Sequence, residues 1–356
     1  MAKPEVKPQR GGTGSPAHPG LSEAARKRLA ALESAGPFQT SDPADVRWLL
    51  CGRGRPVAAG SSPYAVVVDR GRAQVLYQDI EASRVAADER WEELGYEPVA
   101  YPWHEATPNG LPKPDLAGLR RSLGPEELER YRSAGRDAAE AFVESLERLR
   151  PERRELDATA ELAGRLHERG FTTPVLLAGG EMRAPVHRHP LPTEGRLGRF
   201  ALLAATAERD GLHVSLTRVV SFGPAPEELR ERVWAAGQVD AALLAASRPG
   251  ATVGELFETI VLAYAKLGLP DEWRLHHQGG LTGYAGREVF ATPGDPTVLP
   301  AACAVAWNPS VTGGGKSEDT ALVTDDGVEV ITRTPDLPEL RTAARIARPG
   351  VVELCA

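Results

Sequence analysis

Apolar and polar positions along this chain switch between a helical period and a period of two, and the switches mark its elements. SEAARKRLAALESAG, after Leu21, predicts a helix with Ser22 as N-cap and Gly36 as its stop. Asp45 to Leu50, Tyr64 to Asp69 and Ala73 to Tyr77 read as strands, the last two as a hairpin around Asp69-Arg70-Gly71. Ile80 to Leu94 returns to helical spacing, and the proline-rich stretch from Pro102 to Pro114 reads as a connection. Residues 21–115 are therefore expected to form a small α/β domain.

The remainder, 116–356, repeats a simple order. PEELERYRSAGRDAAEAFVESLERL and ATAELAGRLHERG read as a helix pair, and PVLLAG, GRFALLAATAER and GLHVSLTRVVSFG follow as strand-like runs. PEELRERVWAAGQVDAALLAAS and TVGELFETIVLAYAKLG are a second helix pair; Thr252 and Glu255 make a capping-box pattern. AACAVAWNPSV and a hairpin around Asp325-Asp326-Gly327 close the chain. Two halves, each of helices followed by strands, predict an α+β domain with a curved antiparallel sheet under a roof of helices. Residues 1–20, rich in Pro and Gly with almost no large apolar side chains, are expected to be a disordered tail.

Charge and composition narrow the function classes. The net charge of −7 over 356 residues argues against nucleic acid and against an anionic membrane surface as partner. Cys51, Cys303 and Cys355 are too dispersed for a disulfide framework or a CxxC zinc site. No apolar run is long enough to span a bilayer and the N-terminus lacks a secretory signal, so a cytoplasmic protein is expected.

Candidate chemistry lies in four segments taken in order: His189-Pro190-Leu191-Pro192-Thr193, GLHVSLTR ending at Thr217-Arg218, HHQGGLTGY at 276–284, and WNPSVTGGGKSEDTALVTDDGVEVIT at 307–332. The ordered set resembles the creatinase/prolidase/aminopeptidase P family of pita-bread enzymes, over residues 124–335. The resemblance implies a pita-bread domain behind a smaller N-terminal domain, and a homodimer. It also shows where this chain departs. The family's metal-binding aspartates fall on Ala204 and Ser215, and the glutamate before proline falls on Asn308; only His277 and Glu318 of the usual ligands remain. Two divalent cations need several anionic oxygens between them, so no dinuclear centre and no cofactor are expected.

Creatinase, a metal-free member, is similar in keeping the first histidine and the last glutamate. The resemblance then implies His189 as proton shuttle, with His277 and Glu318 as its catalytic companions. Arg287, in Tyr284-Ala285-Gly286-Arg287-Glu288, would clamp a carboxylate, and Asn308, Lys316, Ser215 and Arg218 would line the substrate site. Plainer readings stand beside these. His189 could be a surface residue with His187 as its competitor, and His276 reads as a packed neighbour. Glu318 and Lys316 could be solvated charges, and Asn308 could serve only to close a strand end. Gly313-Gly314-Gly315-Lys316-Ser317 ends like a phosphate loop, but its spacing is wrong and no helix is predicted after it. The leading expectation is a metal-independent hydrolase or lyase acting on a C–N bond of a small polar amide, amidine or amino-acid derivative, possible in specialised metabolism. Alternatives are a non-catalytic binding module for a peptide or small molecule, and a residual Xaa-Pro aminopeptidase or dipeptidase.

Overall fold

The long strands of the chain hold the site, and they form because their apolar residues can be buried on both faces. A computed structural model describes residues 20–57, 62–108 and 110–355; the predicted disordered tail lies outside the described residues except for Gly20. The chain begins with helix α1 (Glu23–Ala35), strand β1 (Phe38–Thr40) and helix α2 (Pro43–Leu49). Strands β2 (Tyr64–Asp69), β3 (Arg72–Gln78) and β4 (Glu97–Tyr101) complete a four-stranded sheet of order β1-β2-β3-β4. Ser22 caps α1 as expected, its hydroxyl accepting from the Ala25 amide.

Two expectations fail in this region. Residues 45–49 are helical, not a strand, with Leu50 as the C-cap: Asp42 accepts from the Ala44 and Asp45 amides and Pro43 occupies the first turn, so start signals outweigh the β-prone side chains. The predicted helix over 80–94 is broken into short 3₁₀, α and π turns and is interrupted at Arg90 with φ 44, after which Trp91–Leu94 form a further 3₁₀ turn. The left-handed residue there breaks the ladder that continuous helical spacing implied.

Two helix-and-sheet halves follow. Helices α3 (Pro125–Leu146) and α4 (Glu155–Glu168) precede the antiparallel strands β5 (Thr172–Gly180), β6 (Phe200–Arg209) and β7 (Leu212–Phe222). Helices α5 (Glu227–Ala246) and α6 (Val253–Lys266) precede β8 (Gly279–Thr282), β9 (Val289–Phe290), β10 (Cys303–Trp307), β11 (Ser310–Val311), β12 (Gly315–Lys316), β13 (Asp319–Thr324) and β14 (Gly327–Val330). The second sheet runs β14-β13-β10-β8-β9, while β15 (Val351–Leu354) returns to pair in parallel with β7. An antiparallel bridge from Thr217 to Glu318 joins the two sheets between the halves. This is the expected α+β pita-bread arrangement. The Thr252–Glu255 capping box forms with both of its hydrogen bonds.

One apolar cluster runs from α1, α2 and the first sheet into α3, α4 and the β5–β7 sheet; a second lies between α5, α6 and the other sheet. Buried ion pairs join the N-terminal layer to the rest: Lys27 Nζ lies 2.7 Å from Glu127, Arg47 pairs with Glu208 at 2.5 Å, and Arg120 reaches both Asp45 and Glu288. No helix of the described residues is long and apolar enough to cross a membrane.

Candidate active site

The register of the β6–β7 hairpin builds the floor of the site. Ala204 stands opposite Thr217 and Thr206 opposite Ser215, so these four side chains share one face. The Ser215 hydroxyl lies 2.9 Å from that of Thr206, and Thr217 donates to Glu318 Oε2 at 2.7 Å. Glu318 is buried, just before β13, and two cations flank it: Arg287 Nη2 at 3.3 Å from Oε1 and Lys316 Nζ at 3.3 Å from Oε2. Burial by itself would raise the Glu318 pKa, but Lys316, Arg287 and the Thr217 hydroxyl outweigh it and hold the carboxyl below its ordinary value. It is a carboxylate at neutral pH.

Three short segments bring the remaining groups in. The Tyr284–Glu288 segment sends its side chains in different directions. Tyr284 contacts Lys27, Glu288 takes Arg120, and Arg287 turns inward with Nη1 3.4 Å from the Ser215 hydroxyl. Lys316 is buried, directly opposite Ser310 on the β11–β12 hairpin. The glycine run that resembled a phosphate loop is the turn of this hairpin, with no helix after it. A Cβ on Gly315 would lie 2.3 Å from the Arg232 carbonyl oxygen of α5. Asn308 is buried, its amide donating to the Gln278 carbonyl, and its Oδ1 has no hydrogen-bond partner among the described residues.

Above this floor stand three imidazoles. His189 and His277 are exposed, and His276 beside them is buried. The Nε2 atoms of His189 and His276 are 3.0 Å apart, and His276 Nδ1 is 3.0 Å from the Ser310 hydroxyl. The His277 ring stacks against His189 at 5.3 Å between centroids and meets the edge of Phe290 at 5.1 Å. Burial, then the charge of Lys316, lowers the His189 pKa, with Glu318 opposing. Burial and the Arg287 guanidinium lower His277 to about 4, and burial with Lys316 lowers His276 as well. All three rings are neutral at pH 7, as a proton acceptor requires.

His189, His277, Glu318, Arg287, Lys316, Asn308 and Ser215 thus come to one place. Arg218 does not. Its neighbour Thr217 faces Glu318, and strand alternation turns Arg218 away. Its guanidinium donates to Asp319 at 2.9 Å and to the Thr332 carbonyl at 2.8 Å, fully buried. It supports the sheet and does not line the cleft. His187 is exposed and outside the imidazole cluster. His276, read from the sequence as a packed neighbour, is a member of that cluster. The doubled His276-His277 ahead of two glycines was the available signal: Gly279 (φ 89) and Gly280 (φ 151) let β8 approach β10 and β9 where a Cβ would clash. Thr217, Ser310 and the buried Gln278, whose side-chain amide donates to the His276 carbonyl at 2.7 Å, lie within the motif segments, but none of them received a site role from the sequence.

Residues 129–325, more than half of the chain, match metallopeptidase family M24. The chain belongs to that family. Within the M24 fold it is similar to dipeptidase PepE from Mycobacterium ulcerans (TM-score 0.71, 17% identity, 93% of this chain and 98% of that one). It is also similar to the X-Pro aminopeptidase from Thermotoga maritima (TM-score 0.69, 13% identity, 92% and 100%) and to prolidase from Pyrococcus furiosus (TM-score 0.66, 18% identity, 86% and 99%). At such identities the likeness is one of fold. A different relative is nearer in sequence over a shorter stretch: agropine synthesis cyclase of Rhizobium rhizogenes is 35% identical over 148 residues, 39% of this chain and 36% of the cyclase. The chain thus matches little more than a third of that relative's length.

The M24 name implies metal, and the donor set here does not fit a pair of divalent cations. Ala204 offers no ligand atom, Ser215 and Asn308 offer neutral oxygens, and the one carboxylate, Glu318, already faces the Lys316 ammonium at 3.3 Å. Two dications held side by side need carboxylates to bridge and neutralise them, and among the described residues of this donor set Glu318 is the single carboxylate.

Proposed function

We propose that this M24 protein is a metal-independent acid–base enzyme that breaks or exchanges a C–N bond in a small polar amide, amidine or amino-acid derivative. The observation that carries the reading is the neutral His189, open to the cleft and backed by His276, beside a buried Lys316–Glu318–Arg287 group. In a hydrolytic cycle His189 takes a proton from water as its oxygen bonds to the substrate carbon. It returns that proton to the nitrogen as the C–N bond breaks. Glu318 stabilises the imidazolium formed in between. Lys316 supports negative charge developing on the attacked group, Arg287 holds a substrate carboxylate, and the free Asn308 Oδ1 accepts a substrate N–H.

The likeness to a cyclase supports a second form of the same chemistry. A hydroxyl or amine of the substrate itself replaces water as the attacking group, His189 moves the same proton, and a ring closes as the leaving group departs. Peptide cleavage of the Xaa-Pro type is the reading least supported, because it has relied on the metal pair whose ligands are replaced here.

A panel of N-acyl, guanidino and amide derivatives of amino acids, incubated with exhaustively chelated protein and followed by mass spectrometry, tests the proposal. Gain of one water reports hydrolysis; ring closure with loss of ammonia or of an amine reports cyclisation. Either is expected to survive chelation. Turnover that requires added manganese or cobalt, or cleavage confined to Xaa-Pro dipeptides, overturns it. Retained binding with no turnover of any member, unchanged by His189→Asn, favours the non-catalytic module.

A further inference from the structure

We propose that His189, His276 and His277 form a binding site for one borderline transition-metal ion of the zinc, cobalt or copper class, sharing only His277 with the two-cation centre implied by the family. The nitrogen atoms that the three rings offer all lie within 4.8 Å of one another, and the His189–His276 pair is 3.0 Å apart. Four-coordinate zinc with Zn–N bonds of 2.0–2.1 Å needs ligand nitrogens roughly 3.3 Å apart, so small ring rotations bring the cluster to that geometry. Two facing Nε2 atoms can share only one proton between them. An ion placed among the three rings satisfies both lone pairs.

The surroundings have the features of a supported metal ligand. His276 Nδ1 lies 3.0 Å from the Ser310 hydroxyl, which accepts from Arg188 Nη1 at 3.2 Å; with the proton of His276 on Nδ1, this contact leaves the Nε2 lone pair for the ion. Phe290 braces His277 from the side. Neutral imidazoles suit borderline ions and are poor ligands for magnesium or calcium. Glu272 pairs Arg188 at 2.6 Å and Glu318 pairs Lys316 at 3.3 Å, so both of these cations have a carboxylate beside them. His189 and His277 are exposed, so the ion has an entry path and an open fourth position.

The role that follows is inhibitory. An ion on His189 Nε2 occupies the lone pair that the proposed acid–base cycle uses, so zinc silences the enzyme and chelation releases it. That consequence rests on the proposed function; the binding does not.

Chelated full-length protein titrated with cobalt(II) alone, with no substrate present, tests the site. One equivalent is expected to bind with the intense visible absorption of four-coordinate cobalt, and one equivalent of zinc is expected to displace it. Ser310→Ala is expected to weaken binding about 10–100-fold, as loss of an outer hydrogen bond to a metal-bound histidine does. His277→Ala, a cleft-facing change that leaves the core alone, is expected to weaken it further, and His187→Ala not at all. Weak six-coordinate absorption, or equal affinity in wild type and His277→Ala, overturns the proposal. Circular dichroism of each variant establishes that it is folded; if His276→Gln fails to fold, His277→Ala decides the matter.

Discussion

Two groups of buried charge lie back to back at the junction of the sheets, supplied by neighbouring residues. Thr217 and Glu318 face the cleft, while Arg218 and Asp319 face the opposite way. Asp319 accepts from Arg218 and from Arg348, and Arg348 and Ser317 both reach Asp240 at 2.6 Å. Carboxylates and guanidiniums balance there, although Asp240 Oδ1 has no partner among the described residues. On the cleft side Glu318 alone faces Lys316 and Arg287, and Asn308 Oδ1 and Arg287 Nε are buried without partners among the described residues. A matched group holds strands together. An unmatched one holds donors, an acceptor and excess positive charge ready for something that is not part of the chain.

That contrast can be broken by mutation. Removing one partner of the balanced group leaves a buried charge uncompensated, so Arg348→Ala is expected to cost about 3–5 kcal/mol of stability. Urea unfolding measures it, and a loss under about 1 kcal/mol would mean that the group contributes little to holding the sheets. On the cleft side the expected effects fall on turnover. His189→Asn is expected to lower kcat roughly 10²–10⁴-fold with the urea midpoint little changed, the range of a general acid–base residue. Lys316→Met removes the unmatched cation and leaves Glu318 with Arg287 and Thr217. Its stability is expected to stay within about 1 kcal/mol of wild type or to rise, while turnover falls. A large loss of stability in Lys316→Met would place it with the structural group instead.

The smallest expected effect is in pH. His277 titrates at about 4 in the folded chain against an ordinary value of 6.5. The unfolded chain therefore takes up a proton that the folded chain refuses between those values. Its contribution to stability is present above pH 6.5 and is lost as pH falls toward 4. Tm measured across that window is expected to decline toward acid, and His277→Gln is expected to flatten the decline. The acid limb of kcat/KM is expected below pH 6.5, because burial and Lys316 lower the His189 pKa beneath that ordinary value. A limb above it would remove His189 as the base.

Much was legible in the sequence alone. The helix pairs and hairpins of both halves, the capping box at Thr252, the order of motifs and the replacement of acids at Ala204, Ser215 and Asn308 are local signals. Periodicity, caps and spacing record them without reference to the rest of the chain. Tertiary structure decided the rest. A one-residue step along β7 sent Thr217 to the cleft and Arg218 into the sheet junction. Whether Lys316 meets Glu318 or solvent, and whether His276 packs in the core or completes an imidazole cluster with His189, depended on contacts between segments far apart in the chain. A pairing of that kind leaves no periodic trace, because its energy arises only when folding removes water from both partners together.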